Sequence, residues 1–214
     1  MESYKKETVR AYDAYACQFE EKFTQKLEQF ALADVDRFSN ELKGPKVLDV
    51  GCGPGAYLGM FRDKGLDALG IDLSDSFLER CQSQGFNVRK MDVESPLLYP
   101  YSFDGVWATA VVPHIPRSRL ALTLQNWSKL LKPTGVLWLS SRLWEGTNEG
   151  MQEDDRYPGH ERWITRYTEA ELRAAVEKRF TILNAEIDQP EMGRTYFKIL
   201  ARVKPETKSA MRNF

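Results

Sequence analysis

Apolar and aromatic residues recur at three- and four-residue steps through residues 1–43, which is the spacing of one helix face. The stripe consists of Tyr12, Tyr15, Phe19, Phe23, Leu27, Phe30, Phe38 and Leu42. Gly44 and Pro45 then interrupt it, as residues that end helices do. The pattern therefore predicts an amphipathic helical segment that ends before a first strand.

Beyond residue 45, short apolar runs alternate with longer amphipathic segments. The apolar runs predict strands at Lys46–Val50, Asp67–Leu73, Asn87–Val93, Phe103–Val112, Gly135–Arg142, Thr181–Ile187 and Thr195–Val203. The amphipathic segments predict helices over residues 56–64, 74–84, 117–131 and 168–178, with N-terminal caps at Ser74 and at the Thr168–Glu171 capping box. The polar stretch Leu143–Arg166 predicts an irregular loop.

Strands that alternate with helices of this length predict an α/β fold, in which helices cover both faces of a mostly parallel sheet. A ligand binds such a sheet at the carboxyl ends of its strands. We expect a single domain over residues 1–214. It comprises an N-terminal helical cap (1–43), an α/β core (44–204) and a loose tail (205–214).

Composition narrows the class of protein. The 214 residues are 42% hydrophobic and carry a formal net charge of -1, which suits a folded domain and excludes a disordered chain. The apolar runs are too short to span a membrane, and no apolar signal segment opens the chain. Three cysteines without a CxxC pair and two histidines without an HExxH motif predict no metal site. We therefore expect a cytoplasmic protein without a membrane partner.

The most informative stretch is the glycine-rich turn after the first strand, where Gly51, Gly53 and Gly55 precede a helix. Glycine permits a tight turn and lets a ligand lie against the backbone, and the amides at the helix start can meet a polar or negative group. The turn also fits the dinucleotide fingerprint G-x-G-x-x-A. NAD and other adenosine cofactors both remain possible at this point.

Asp72 fits either kind of cofactor, whereas two further acids, Asp49 and Asp92, separate them. Asp72 ends the second strand about 20 residues beyond Gly51, where an acid that binds ribose hydroxyls is expected. Asp49 lies inside the first strand and can orient the turn or meet an ammonium group. Asp92 ends the third strand, where it can accept a hydrogen bond from an adenine amino group. Such acids favour a cofactor that combines adenosine with an amino acid over a dinucleotide.

Four segments in order resemble the class I S-adenosylmethionine-dependent methyltransferases of the small-molecule, type 11/25-like kind. They are Val47–Gly55, Gly70–Ser74, Phe103–Trp107 with Val112–Ile115, and Leu130–Leu137, in which Thr134 stands where glycine is common. The resemblance covers about residues 44–204. It implies a Rossmann-like seven-stranded sheet whose last strand is antiparallel, and S-adenosyl-L-methionine as the cofactor.

The resemblance also implies roles for individual residues. The implied cofactor contacts are Asp49, Gly51, Cys52, Gly53, Gly55, Asp72, Leu73, Asp92, Val93 and Ala110. Within this set, the glycines would lie beside the methionine part, Asp72 on the ribose hydroxyls, and Asp92 near the adenine. Ala110, at the end of the fourth strand, would lie near the transferred methyl group.

Catalysis and acceptor binding leave a weaker signature. His114 follows the fourth strand and is the candidate general base for an acceptor that must lose a proton, because imidazole titrates in the useful pH range. A purely structural histidine is the alternative. The N-terminal helix and the 143–166 segment can both fold over the strand ends. Candidate acceptor-pocket residues on them are Tyr12, Tyr15, Arg142, Trp144 and Trp163.

The expected function is methyl transfer to a small-molecule acceptor by in-line displacement. The small cap and the near-zero net charge favour a small acceptor over a nucleic acid. Methylation of RNA or protein, a NAD(P)-dependent oxidoreductase, and a non-catalytic cofactor-binding protein are the alternatives. The sequence contains no Tyr-x-x-x-Lys pair of the kind an oxidoreductase would use. The acceptor, the methylated atom and the oligomeric state stay open.

Overall fold

The computed structural model describes residues 1–16, 31–153, 157–189 and 194–205. Its helices are α1 (Ser3–Ala14), α2 (described over residues 31–41), α3 (Ala56–Asp63), α4 (Asp75–Ser83), α5 (Arg117–Leu130) and α6 (Glu169–Glu177). Its strands are β1 (Lys46–Val50), β2 (Asp67–Asp72), β3 (Val88–Lys90), β4 (Phe103–Thr109), β5 (Leu131–Leu143), β6 (Glu149–Glu153), β7 (Glu161–Thr165), β8 (Phe180–Asp188) and β9 (Thr195–Val203). A short 3-10 turn, Val112–His114, follows β4.

Seven strands form one sheet in the order β3-β2-β1-β4-β5-β9-β8. The pairs among β1 to β5 are parallel, whereas β9 runs antiparallel to both β5 and β8. This arrangement confirms the predicted Rossmann-like sheet with an antiparallel last strand. The strand order reverses between β1 and β4, and ligands bind at such a switch point in open α/β sheets.

Apolar side chains cover the sheet on both faces. On one face Trp127, Tyr167 and Phe180 belong to a large buried cluster. On the other face Trp107 and Trp138 stack with ring centroids 5.0 Å apart. α2 packs on this second face, so this part of the N-terminal segment supports the sheet and does not extend the cap above it.

Gly105 in β4 shows how closely α2 approaches the sheet. A β-carbon at this position would lie 2.4 Å from Phe38 Cζ and 2.6 Å from Leu42 Cδ2. Both distances are far below ordinary van der Waals contact, so only glycine fits here without displacing its neighbours. The glycine therefore sets the distance between β4 and the helix.

Several element boundaries differ from the sequence-based prediction. β3 has only three residues, Val88–Lys90, and is shorter than the predicted strand Asn87–Val93. β5 begins at Leu131, directly after α5, and is longer than predicted. The prediction of an irregular loop over 143–166 is wrong in part, because β6 and β7 pair as an antiparallel hairpin. The predicted stripe positions Phe19, Phe23, Leu27 and Phe30, and tail residues 206–214, lie outside the described residues.

Two further features concern the described ranges alone. None of the helices there has the length and apolar character needed to cross a membrane. Nor do those ranges contain a group of three or more His, Cys, Asp or Glu side chains that could hold a metal ion.

Candidate functional site

The glycine-rich turn joins β1 to α3 at the carboxyl edge of the sheet. Gly51, Gly53 and Gly55 all have positive φ angles, of 69°, 53° and 91°, which glycine adopts at no steric cost. A β-carbon on Gly51 would lie 2.4 Å from Val111 Cγ2, whereas one on Gly53 would meet nothing within 4 Å. The backbone at Gly53 therefore borders open space that a ligand can occupy. Gly55 instead packs against Cys81, whose sulfur would lie 2.9 Å from an added β-carbon.

Asp72 connects the end of β2 to this turn. Its carboxylate accepts hydrogen bonds from the backbone amides of Gly53 (3.0 Å), Leu73 (2.7 Å) and Ser74 (2.9 Å). Burial raises the pKa of Asp72, and these backbone hydrogen bonds oppose that shift. The residue thus fixes the shape of the glycine turn while it borders the same open space.

Asp49 in β1 is the most unusual group in the site. The residue is 2% exposed, and its Oδ2 atom has no hydrogen-bond partner among the described residues. Burial, together with the charge of Asp72, raises the pKa of Asp49 well above its ordinary value. A buried polar oxygen without a partner destabilises a fold. The arrangement therefore suits a cationic or hydrogen-bonding ligand that supplies the missing partner.

These groups surround one cavity of about 150 Å³ between the strand ends and α1. Ten of the residues predicted to form the site line it, namely Tyr12, Asp49, Gly51, Cys52, Gly53, Asp72, Leu73, Val93, Ala110 and His114. Ala110 has a φ of 60°, a value rare outside glycine, and its amide donates to the Ser140 carbonyl at 2.8 Å. A strained residue at the end of a central strand is typical of functional sites.

Asp92 lies outside the lining of this cavity. Its carboxylate accepts a hydrogen bond from Lys5 Nζ at 2.7 Å, and the same ammonium group lies 3.0 Å from Glu94. Glu94 also binds Arg119 and accepts a hydrogen bond from the Tyr4 hydroxyl at 2.6 Å. In this structure Asp92 therefore helps to hold α1 over the sheet, and its contact with adenine stays a prediction.

His114 lies between α1 and β7. Its Nδ1 atom is 2.8 Å from the Trp163 carbonyl oxygen, and its Nε2 atom is 2.7 Å from the Tyr12 hydroxyl. Because a carbonyl oxygen only accepts, Nδ1 carries a proton, and when the ring is neutral Nε2 accepts a hydrogen bond from the Tyr12 hydroxyl. Arg162 Nη1 donates a further hydrogen bond to the Tyr12 oxygen at 2.9 Å. Three distant segments thus meet at the Tyr12 hydroxyl.

Comparison with known proteins agrees with this geometry. Residues 48–139 match the family described as a methyltransferase domain. Residues 48–139 are therefore similar to a methyltransferase domain, and this match covers less than half of the 214 residues. This result confirms the resemblance drawn from the four sequence motifs.

The proteins similar to this chain have names that refer to different acceptors. The chain is 34% identical to the ubiquinone biosynthesis O-methyltransferase of Methylococcus capsulatus over 107 residues, covering 47% of this chain and 44% of that protein. It is 28% identical to a tRNA (carboxymethyluridine(34)-5-O)-methyltransferase of Mus musculus over 142 residues, covering 66% of this chain and 21% of that protein. The match therefore spans less than half the length of either relative.

A solved structure has the same fold as this chain. The 1,6-didemethyltoxoflavin-N1-methyltransferase of Burkholderia thailandensis, crystallised with 1,6-didemethyltoxoflavin and S-adenosylhomocysteine, superposes with a TM-score of 0.74. The alignment covers 94% of this chain and 89% of that chain at 20% sequence identity.

The other residues predicted for the acceptor pocket do not line this cavity. The Tyr15 hydroxyl donates to the Pro158 carbonyl at 2.9 Å. Arg142 stacks on the Trp144 ring at 4.7 Å, where β5 ends. Trp163 donates its ring N–H to Thr165 Oγ1 at 2.9 Å and contributes its backbone carbonyl, not its ring, to His114.

Sequence reasoning missed several residues that the fold places around the cavity or beside it. They include Thr8, Val9 and Phe77 in the lining, and Arg162 behind Tyr12. Thr8 and Val9 belong to a helix whose contact with the sheet has no local sequence signal. Arg162 lies in a charged stretch that reads as a solvated loop, so only its burial reveals its position.

Proposed function

We propose that this chain is an S-adenosylmethionine-dependent methyltransferase that transfers a methyl group to a small-molecule acceptor. The observation that carries the proposal is the buried carboxyl group of Asp49, whose Oδ2 atom has no partner among the described residues and lies beside the glycine turn and Asp72. A ligand that offers both an ammonium group and a ribose would meet both acids.

The residues of the cavity fit this cofactor. Asp49 would hold the ammonium group, Asp72 would accept the ribose hydroxyls, and the backbone at Gly53 would lie against the methionine part. When bound, S-adenosylmethionine supplies a methyl group activated on a sulfonium. A dinucleotide would instead bring a pyrophosphate to the turn and would supply no ammonium group to the unpartnered oxygen of Asp49. This difference argues against the oxidoreductase alternative.

A small acceptor is supported by the position of α1 beside the cavity. α1 lies across the strand ends, and Tyr12 reaches from it to His114 with a 2.7 Å hydrogen bond. Two of the similar proteins, the ubiquinone biosynthesis O-methyltransferase and the didemethyltoxoflavin N1-methyltransferase, have names that refer to small molecules. An RNA acceptor is the second candidate, because the chain is also similar to the mouse tRNA methyltransferase. A basic groove would be needed to bind RNA, and the chain has a formal net charge of -1.

We further propose that residues 1–214 form one domain that works in the cytoplasm. The ion pairs of Lys5 with Asp92 and Glu94, and the packing of α2 on the sheet, support this assignment because they attach the N-terminal segment to the core.

Calorimetric titration tests the proposed cofactor. S-adenosylmethionine and S-adenosylhomocysteine should bind to the full chain, and NAD should not. Asp72→Ala should weaken binding of both sulfur nucleotides by about 10- to 100-fold, since hydrogen bonds to a charged group contribute roughly 1.5–3 kcal/mol. Asp75→Ala is the matched control, because Asp75 lies three residues further on, pairs with Lys90 and is largely exposed. Binding of NAD alone, or unchanged affinity in Asp72→Ala, would overturn the proposal.

A further inference from the structure

We propose that Tyr12 and His114 act together as a proton-accepting pair, and that the acceptor they serve is a hydroxyl group on an aromatic ring. The inference rests on the proposed methyl transfer and extends it to the class of acceptor and to the group that receives its proton. The observation behind it is the chain of hydrogen bonds that links Tyr12 to the Trp163 carbonyl through His114.

The direction of each hydrogen bond is fixed by chemistry. The Trp163 carbonyl can only accept, so His114 Nδ1 donates to it at 2.8 Å. In the neutral ring His114 Nε2 then offers a lone pair to the Tyr12 hydroxyl at 2.7 Å, and the tyrosine donates. The Tyr12 proton is therefore already directed at an acceptor nitrogen whose tautomer is held by the backbone of β7. A proton that arrives at the Tyr12 oxygen can displace the phenolic proton onto His114.

Arg162 favours an oxygen acceptor over a protonated amine. Its side chain is 3% exposed, its Nη1 atom donates to the Tyr12 oxygen at 2.9 Å, and its guanidinium stacks on the Tyr157 ring at 4.0 Å. A positive charge held beside Tyr12 stabilises negative charge that develops on an oxygen there, and it repels an ammonium group. The surroundings therefore suit an acceptor that becomes more negative as it reacts.

The pair faces the same cavity as the proposed cofactor residues. Tyr12 and His114 line it together with Asp49 and Gly53, and the apolar side chains of Phe77 and Val111 form part of its wall. Apolar walls with a few directed polar groups are typical of sites that bind flat organic molecules. An aromatic hydroxyl also has an acidity close to that of tyrosine itself, so its proton can move to Tyr12 without a large free-energy penalty.

The reaction step balances as follows. The acceptor hydroxyl passes its proton to the Tyr12 oxygen while the Tyr12 proton moves to His114 Nε2. The acceptor oxygen forms a bond to the methyl carbon, and the carbon–sulfur bond breaks with its electron pair left on sulfur. The sulfonium charge is lost as the imidazole gains one, so the total charge is unchanged. His114 then returns the proton to solvent.

Steady-state kinetics with phenol and 4-nitrophenol as acceptors test the pair. Tyr12→Phe and His114→Gln should each lower kcat for phenol by about 100-fold, within the range that general bases contribute. The double variant should have about the same kcat for phenol as the less active of the two single variants, because the two residues act as a unit. For 4-nitrophenol, which is largely ionised at mildly alkaline pH, the same variants should lose less than about tenfold, since no proton must be removed.

Two matched controls remove the same groups elsewhere. His160→Gln changes the other histidine of the chain, which lies between β6 and β7, and Tyr99→Phe removes an exposed phenol. Both should keep the kcat of the unchanged chain.

Three outcomes would contradict the proposals. An equal loss of kcat for phenol and for 4-nitrophenol in Tyr12→Phe would indicate a positioning role and overturn the proton-accepting role. No transfer to either acceptor, with S-adenosylhomocysteine still bound, would overturn the aromatic-hydroxyl class while leaving the proposed cofactor site intact. Failure to bind that nucleotide would instead overturn the proposed function.

The pH dependence of kcat for phenol gives a readout that packing alone would not move. In the unchanged chain kcat should fall on the acidic side as His114 becomes protonated, and His114→Gln should lack that fall. Several other titratable or charged groups lie around the pair. Asp49, Asp72, Cys52 and Tyr57 share the cavity, and Tyr157 and Arg162 contact Tyr12. If a variant fails to fold, the imidazole nitrogens of His114 in the unchanged chain can be assigned by ¹⁵N NMR. A proton on Nε2 of the neutral ring would overturn the pair.

Discussion

At the scale of single residues, the burial of Asp49, which we propose as a ligand of the cofactor, costs stability. Its carboxyl group is buried, and burial together with Asp72 raises its pKa well above the ordinary value. Between the ordinary carboxyl pKa and the raised pKa of the folded state, Asp49 is protonated in the folded chain and ionised in the unfolded chain. Stability must therefore fall as pH rises through that range.

Replacing Asp49 by Asn tests this balance. The amide cannot ionise, so Asp49→Asn should be about as stable as the unchanged chain at acidic pH and increasingly more stable as pH rises. A difference of about 1 kcal/mol would appear as a rise of about 2–4 °C in Tm. Calorimetric affinity for S-adenosylmethionine should fall at least tenfold, because the neutral amide attracts an ammonium group less strongly.

Asp104 provides the matched comparison for this variant. It is also buried, but its two carboxylate oxygens bind Lys132 Nζ at 2.9 and 2.8 Å. Asp104→Asn should lower Tm and leave cofactor affinity unchanged. If both variants shifted Tm in the same direction at alkaline pH, burial without a partner would not be the property that distinguishes Asp49.

The residues of the site divide into those that sequence could place and those it could not. Asp49, the glycine turn and Asp72 come from one strand–turn–helix–strand unit, so their spacing along the chain determines their spacing in space. Tyr12 and Arg162 are 150 residues apart, and neither has a neighbour whose type indicates the other. Contacts of that kind depend on how whole elements pack, and no local pattern encodes them.

At the scale of elements, α1 is attached mainly through polar contacts. Lys5, whose side chain is 7% exposed, reaches Asp92 and Glu94, and the Thr8 hydroxyl accepts a hydrogen bond from the Trp163 amide at 2.9 Å. Few apolar residues of the helix are buried, so charge pairing sets its position. A helix held in this way is sensitive to the loss of one buried charge.

Lys5→Met should loosen α1 without disturbing the sheet. Removing the ammonium group leaves the Asp92 carboxylate without this partner, so amide hydrogen exchange in residues 3–14 should accelerate at least tenfold while β1 and β4 stay protected. Lys6→Met is the control, because Lys6 is exposed on the same helix. Unchanged exchange in Lys5→Met would mean that the ion pairs do not hold the helix.

The accuracy of the predicted elements follows from how each is buried. The strand Thr195–Val203 coincides with its prediction, and β1 does as well, because apolar residues dominate both. The hairpin of β6 and β7 was predicted as a loop because charged residues such as Glu149, Glu153 and Glu161 dilute its alternation. β7 packs against α1, which lies far away in the sequence. The hydrophobic pattern of residues 149–165 alone therefore does not predict this contact.

At the scale of the whole molecule, both faces of the sheet must be covered before any strand is stable. The stacked Trp107 and Trp138 lie on the face that α2 covers, and Gly105 sets how closely that helix approaches. A change at Gly105 should therefore affect the unfolding of the whole chain and leave the cavity largely as it is.

Gly105→Ala should lower the free energy of unfolding by roughly 1–3 kcal/mol, the typical cost of overpacking. In urea, tryptophan fluorescence and far-ultraviolet circular dichroism should shift together, as expected if residues 1–214 unfold as one domain. Gly59→Ala is the control, since the nearest atom to an added β-carbon lies 3.7 Å away and alanine favours the helix. Separate transitions for the two probes would contradict the single-domain proposal.

The long sequence separations at the cavity also set the order in which the protein can be assembled during translation. The Thr8 hydroxyl meets the amide of a residue 155 positions later in the chain, and Tyr12 meets Arg162 across a similar distance. At ribosomal speeds of about 5–20 residues per second, α1 waits on the order of 10 s before its partner strand has been synthesised. The end of the cavity that contains Tyr12 and His114 is therefore completed only after β7 has been synthesised, because a nascent chain interrupted earlier lacks Arg162 and the Trp163 carbonyl.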